Sequence, residues 1–259
     1  MDYLLLLDES ESEASAIDRF FVYGGLLVPT SQIQRLHEGL VRVRTTAGLP
    51  RATPLKWNMD RPVSVSKTAL ESAKAAVPPL VVYCQATLFA SPVLREIADA
   101  KKRVGQAHVF GINTLLSAVA DHLEERNAFA SVLIDRLPSL KLEASFDLLG
   151  DHMSYGMGKR DADPKVERVL SYGYADAGCS RIASALDICL GLFTKAVGRP
   201  SAAPWDAGAR SACSLLARRT DGGVLERGLA PRPVRMLSRH QPSYQRMYDR
   251  LRALGVAIR

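Results

Sequence analysis

Short unbroken apolar runs alternate along this chain with stretches in which apolar residues recur every three or four positions. Tyr3 to Leu7 reads as a fully buried strand over 3–8, and Phe20 to Val28 as a second strand stopped by Pro29-Thr30, with a polar hairpin connection between them. Leu80 to Leu88, Ser131 to Asp135 and Val166 to Tyr174 give three further strands. Ile33, Leu36, Leu40 and Val43 predict an amphipathic helix over 31–46, and another is expected over 65–76. Val109, Ile112, Leu116, Val119 and Leu123 predict a helix over 107–126, and a further one is expected over 139–153. Ile182, Leu186, Cys189 and Phe193 form the core stripe of a long helix over 180–197. After Pro200 the chain is rich in Pro, Gly and Arg, which predicts irregular segments with short helices near 206–218 and 242–254. Gly24-Gly25 inside the second strand points to a bulge or a close backbone approach, and tight packing alone is the plainer explanation.

The chain has 259 residues, 47% of them hydrophobic, enough for one sizeable core, and one domain is expected. With 34 Lys and Arg against 27 Asp and Glu, the net charge of +7 favours polyanionic partners, a weak hint shared by many basic proteins that bind no nucleic acid. Cys84, Cys179, Cys189 and Cys213 form no CxxC pair, which argues against a disulfide framework or a structural zinc site and for a reducing compartment. Leu4 to Leu7 is too short for a membrane span and lacks a basic flank, so a cytoplasmic protein without membrane association is expected.

Candidate chemistry lies in carboxylates at the ends or borders of apolar segments. Asp8 and Glu9 follow the first run, Asp135 closes the fourth strand, and Asp187 interrupts the apolar helix. Carboxylates on strand ends and on a neighbouring helix are a common way to hold a hard divalent cation. Neighbouring strand residues face opposite sides, so Asp8 is preferred as a ligand and Glu9 is the second choice. Each has a bland alternative: Asp8 and Asp135 as turn or cap residues, and Asp187 in an ion pair with Arg181 or Lys195. At about 100° per residue, Asp187 lies roughly 110° from the centre of its stripe, on the border of a cleft-facing side. Asp176 is a reserve ligand or a helix-dipole partner. Lys56 beside Trp57 suits a phosphate contact with the indole stacked on a base or sugar; the alternative is a surface lysine next to a core tryptophan. Arg232, Arg235, Arg239, Arg246, Arg250 and Arg252 form a basic tail that either tracks a nucleic-acid backbone or is a solvated helix face.

Other chemistries lack their motifs. Gly156 to Arg160 misses the first glycine and the Ser or Thr of a phosphate-binding loop, no two histidines stand four apart, and no Gly-x-Ser-x-Gly elbow occurs.

The order of elements resembles a ribonuclease H-like arrangement, and the chain more specifically resembles the family called domain of unknown function 3800. The resemblance rests on Asp8-Glu9-Ser10-Glu11, Phe21-Val22-Tyr23-Gly24-Gly25, Pro54-Leu55-Lys56-Trp57, Ile134-Asp135 and Ser184-Ala185-Leu186-Asp187, in that order over residues 3 to 197. Glu11 stands where that family has glycine, Pro54 where it has an acidic residue, and Ser184 and Leu186 where it has Gln and Ala. The resemblance implies an α/β, ribonuclease H-like mixed sheet flanked by helices over 1–199, with a helical insertion at about 31–76 and a basic C-terminal extension over 200–259 packed on the same domain. It further implies a metal-dependent nuclease in which Asp8, Asp135 and Asp187 hold one or two Mg²⁺ or Mn²⁺ ions, with Glu9 beside them and Lys56 and Trp57 contacting DNA or RNA. The rival expectation is a non-catalytic nucleic-acid-binding or effector protein that keeps the fold, and a small-molecule hydrolase using the same cleft is a third.

Overall fold

The computed structural model describes residues 2–11, 18–50, 55–57, 63–89, 100–135, 168–175, 182–198, 203–234 and 238–259. Among the described residues six strands form one mixed sheet: β1 (Tyr3–Glu11), β2 (Phe20–Pro29), β3 (Val81–Leu88), β4 (Ala130–Asp135), β5 (Val169–Ala175) and β6 (Leu229–Arg232), in the spatial order β5-β4-β1-β2-β3-β6. β1, β2 and β3 are successively antiparallel, whereas β4 joins β1, β5 joins β4 and β6 joins β3 in parallel. Among the described residues the α-helices are α1 (Ile33–Thr46), α2 (Val63–Ala76), α3 (Ala100–Glu125), α4 (Ala183–Gly198), α5 (Ala203–Ser214) and α6 (Gln241–Ala253).

Strand alternation divides the core between the two faces of the sheet. Leu6, Val22, Leu26, Val82 and Cys84 face α1, α2, α4, α5 and α6, while Leu5, Leu7, Tyr23, Tyr83, Val132 and Ile134 face α3. The predicted strands and the helices of the 31–76 region are present to within a few residues. Cys84, Cys189 and Cys213 are free and buried. Among the described residues no helix is long and apolar enough to cross a membrane.

Four features differ from expectation. β1 runs on to Glu11, with Ser10 opposite Val22 and Glu11 opposite Phe21, so part of the polar connection is strand and Asp8 lies inside it. Backbone pairing with β2 sustains the strand where apolar burial ends. α4 has no narrow stripe: it is buried at Ser184 to Leu186 and from Ile188 to Gly198, because the sheet covers one side and α2, α5 and α6 pack around the rest. An apolar helix wrapped by neighbours buries all its faces. The tail supplies a sixth strand, β6, at the sheet edge, where Pro231 is tolerated because edge strands leave donors unused. Finally, several tail arginines are paired to carboxylates. Arg246 forms a two-pronged bridge to the buried Asp18 (2.7 Å for both contacts), and Arg232 bonds Glu226, Arg250 bonds Asp206 and Arg252 bonds Asp249. Arg235 and the expected helix over 139–153 lie outside the described residues, as does Asp176.

Candidate functional site

Register brings Asp8 and Asp135 together. The parallel ladder between β1 and β4 ends at Leu7 opposite Ile134, so the next residue on each strand is an aspartate. Neighbouring strands lie about 4.7–4.9 Å apart. Asp8 shares the face of Leu6, and Asp135 the face of Leu133, which is the side packed by α4. A small cleft is lined there by Leu6, Leu7, Asp8, Leu133, Asp135, Ala183 and Leu186. The first turns of α4 thus face both carboxylates, with the positive end of its dipole toward them.

Gly24 sets how close α4 comes. It pairs with Asp8 across β1 and β2, and a β-carbon built on it would sit 2.2 Å from Leu190 Cδ2. The missing side chain therefore lets Leu190 settle onto the sheet beside Asp8, and Asp187 lies one turn earlier on the same helix. The β1–β2 register continues without a shift through Gly24 and Gly25, so close approach rather than a bulge is the role of this pair. Gly25 does the same on the other face, against Leu5, Leu7 and Leu115.

Asp187 is half-buried, and its Oδ2 accepts a hydrogen bond from the Trp57 backbone N–H. Leu55 is buried in the core and the Trp57 indole packs against Gly191, where a β-carbon would lie 2.1 Å from Trp57 Cγ. Lys56, between these two anchors, is exposed, and its charge is felt at Asp187. Trp57 is thus a packed side chain that also orients a carboxylate through its amide. Glu9 lies across from Tyr23 on the α3 face, opposite the side that carries Asp8.

Burial pushes the Asp8 carboxyl well above its ordinary range, and the charges of Asp135, Glu9 and Asp187 push it further; the Glu9 N–H, 2.8 Å from Asp8 Oδ1, opposes this. Burial also raises Asp187, against the Trp57 amide and Lys56, which lower it, while Asp135 adds to the rise. Burial lifts the Tyr23 phenol well above its usual value, helped by Glu9, Asp8, Tyr174 and Asp135. Tyr23 was not among the residues singled out from sequence; its place opposite Glu9 on a strand pair was the available signal.

Carboxylate oxygens and an excess of buried negative charge suit a hard divalent cation. The spacing does not close: among the described residues, no three His, Cys, Asp or Glu side chains are grouped so that one ion could be held. The structure brings Asp8 and Asp135 side by side, and it engages Asp187 with the segment carrying Trp57. No protein-family model matches the chain, and no curated protein matches it significantly.

Proposed function

We propose that this chain is a metal-dependent nuclease of ribonuclease H-like architecture that hydrolyses phosphodiester bonds at the cleft between β1, β4 and α4. The observation that carries the reading is that strand register sets Asp8 and Asp135 side by side in one cleft, lined also by the first turns of α4, the helix that carries Asp187. Burying like charges costs free energy unless something offsets it, and proteins retain such clusters chiefly where they bind cations or do proton chemistry. The antiparallel β1-β2-β3 meander continued by parallel β4 and β5, with acidic residues on β1, β4 and the helix after β5, supports the ribonuclease H-like assignment and the resemblance to domain of unknown function 3800.

A bound Mg²⁺ or Mn²⁺ would supply charge neutralisation for the phosphate and a more acidic water. The chain's own contributions are distinct. Asp8 and Asp135 place two carboxyl groups at the floor of the cleft, α4 presents its positive end, and Lys56 offers an exposed ammonium to a phosphodiester near Asp187. Incubation with Mn²⁺ and single-stranded, duplex and hybrid substrates should give cleavage that Asp8→Asn and Asp187→Asn abolish while circular dichroism stays native. Undiminished cleavage in both variants refutes the assignment.

One observation favours the rival reading of a non-catalytic nucleic-acid-binding protein: no three ligands stand ready for one ion among the described residues. Such a protein would bind nucleic acid with steep salt dependence and no requirement for a divalent cation.

A further inference from the structure

Lys56 and the arginines of the tail differ in what already holds them. Arg232, Arg246, Arg250 and Arg252 each bond a carboxylate of this chain, so a nucleic-acid strand would compete for them with Glu226, Asp18, Asp206 and Asp249. Lys56 is exposed, and among the described residues its ammonium has no hydrogen bond and no ion pair. Its backbone is nevertheless fixed from both sides. Leu55, 2% exposed, is set in the core, the Trp57 N–H donates to Asp187 Oδ2, and the indole lies over Gly191, where a β-carbon would come 2.1 Å from Trp57 Cγ. Asp187 and Gly191 are one turn apart on α4, so both contacts of Trp57 run along one side of that helix. Leu186, the residue before Asp187, lines the cleft with Asp8 and Asp135. The flanks of Lys56 are therefore seated on the helix that forms one wall of the cleft.

We propose that Leu55, Trp57 and Gly191 are positioning residues that hold Lys56 beside the cleft as its phosphate contact, and that this lysine, not the paired arginines of the tail, meets the backbone of a nucleic-acid strand entering there. This rests on the nuclease reading and names its phosphate-binding group. A lysine whose backbone is already fixed has only its side chain left to order when it meets an anion, so less of the attraction is lost to entropy. Gly191 is the pivot: a side chain there meets the indole, and displacing the indole moves the backbone that carries Lys56. An ammonium meeting a phosphate is a point-charge contact and carries no base preference.

The test is binding of the full chain, in EDTA, to fluorescent oligothymidylate and to a mixed-sequence single strand of equal length, read by anisotropy across a salt series. Removing one phosphate contact from a single strand should lower the slope of log K against log salt by about 0.7 in Lys56→Ala, which is about fivefold in affinity near 0.1 M salt. The loss should be equal for the two strands, Lys56→Arg should keep the slope, and Arg252→Ala should change neither slope nor affinity. Gly191→Ala retains the lysine and should weaken binding in the same direction, yet add nothing in the Lys56→Ala background, because the two changes remove one contact. Trp57→Ala, which empties the same notch, replaces Gly191→Ala if that variant does not fold, and Trp57→Phe should bind as the wild type does. An unchanged slope in Lys56→Ala, or a Gly191→Ala loss that persists undiminished in that background, overturns the inference and leaves the nuclease reading to Mn²⁺-dependent cleavage, measured separately. A wild-type chain that binds neither strand also overturns it, and the nuclease reading falls with it only when Mn²⁺ gives no cleavage.

Discussion

Gly24→Ala tests how α4 is seated over the carboxylates. The added β-carbon would lie 2.2 Å from Leu190 Cδ2 and 2.9 Å from its Cγ and Cδ1, short of ordinary contact at about 3.5–4.0 Å by roughly 1.3–1.8 Å and 0.6–1.1 Å. Leu190 is fully buried on a helix enclosed by the sheet and by α2, α5 and α6, so it cannot swing into solvent. Either Leu190 adopts a poor rotamer or α4 lifts, and overpacking of this kind costs about 1–3 kcal/mol. Alanine recovers roughly 0.5–1 kcal/mol of the entropy that glycine loses in a strand. A net loss near 1–2 kcal/mol should remain, or a fall in Tm of about 2–8 °C for a chain of this size. Denaturant unfolding of Gly24→Ala, Leu190→Ala and the double variant closes the cycle. Leu190→Ala alone should cost about 2–5 kcal/mol by opening a cavity. In that background the new methyl group has room, so Gly24→Ala should become neutral or stabilising, a coupling of at least about 1 kcal/mol. Additive effects, or a Gly24→Ala protein as stable as the wild type, would refute the close approach of Leu190 to the strand that pairs with Asp8.

Two further outcomes follow from the site and its surroundings. Asp8 and Asp187 carry folded-state pKa values above their unfolded ones, so the folded chain binds more protons over the interval between those values. Metal-free stability should therefore fall as pH rises from about 4 through the raised values, by about 1.36 kcal/mol for each unit of difference, and Asp8→Asn should be more stable than wild type at neutral pH. A neutral-pH urea titration in which Asp8→Asn is destabilised would contradict this. At the other edge of the sheet the Tyr244 hydroxyl accepts from the Leu88 N–H at 3.0 Å and donates to the Arg232 carbonyl, tying the ends of β3 and β6 to α6. Tyr244→Phe should cost about 1–3 kcal/mol because a buried amide loses its partner, and an unchanged midpoint would show that water replaces the hydroxyl.

The five longer strands and most of the helices are legible in the residue pattern alone, which also singles out the three aspartates as candidates. Continuous apolar runs can be stable only when buried, and a carboxylate directly after such a run marks where the buried segment reaches a polar boundary; Leu7-Asp8 and Ile134-Asp135 have this form, whereas Asp187 interrupts a helix that is buried on both sides of it. Glu9's opposite orientation was likewise legible, because strand alternation is local. The tertiary structure decided what local pattern cannot encode. β6 has four residues and a proline, and only the free edge of β3 makes it a strand. The burial of α4 on nearly every side depends on α2, α5 and α6, which its own periodicity cannot report. Gly24 and Gly191 read as ambiguous or unremarkable glycines until Leu190 and Trp57 are placed against them. Asp187 is tied to an amide 130 residues away. Local sequence reports which side chains must leave water, but which distant backbone donor a half-buried carboxylate meets is set by how the layers pack.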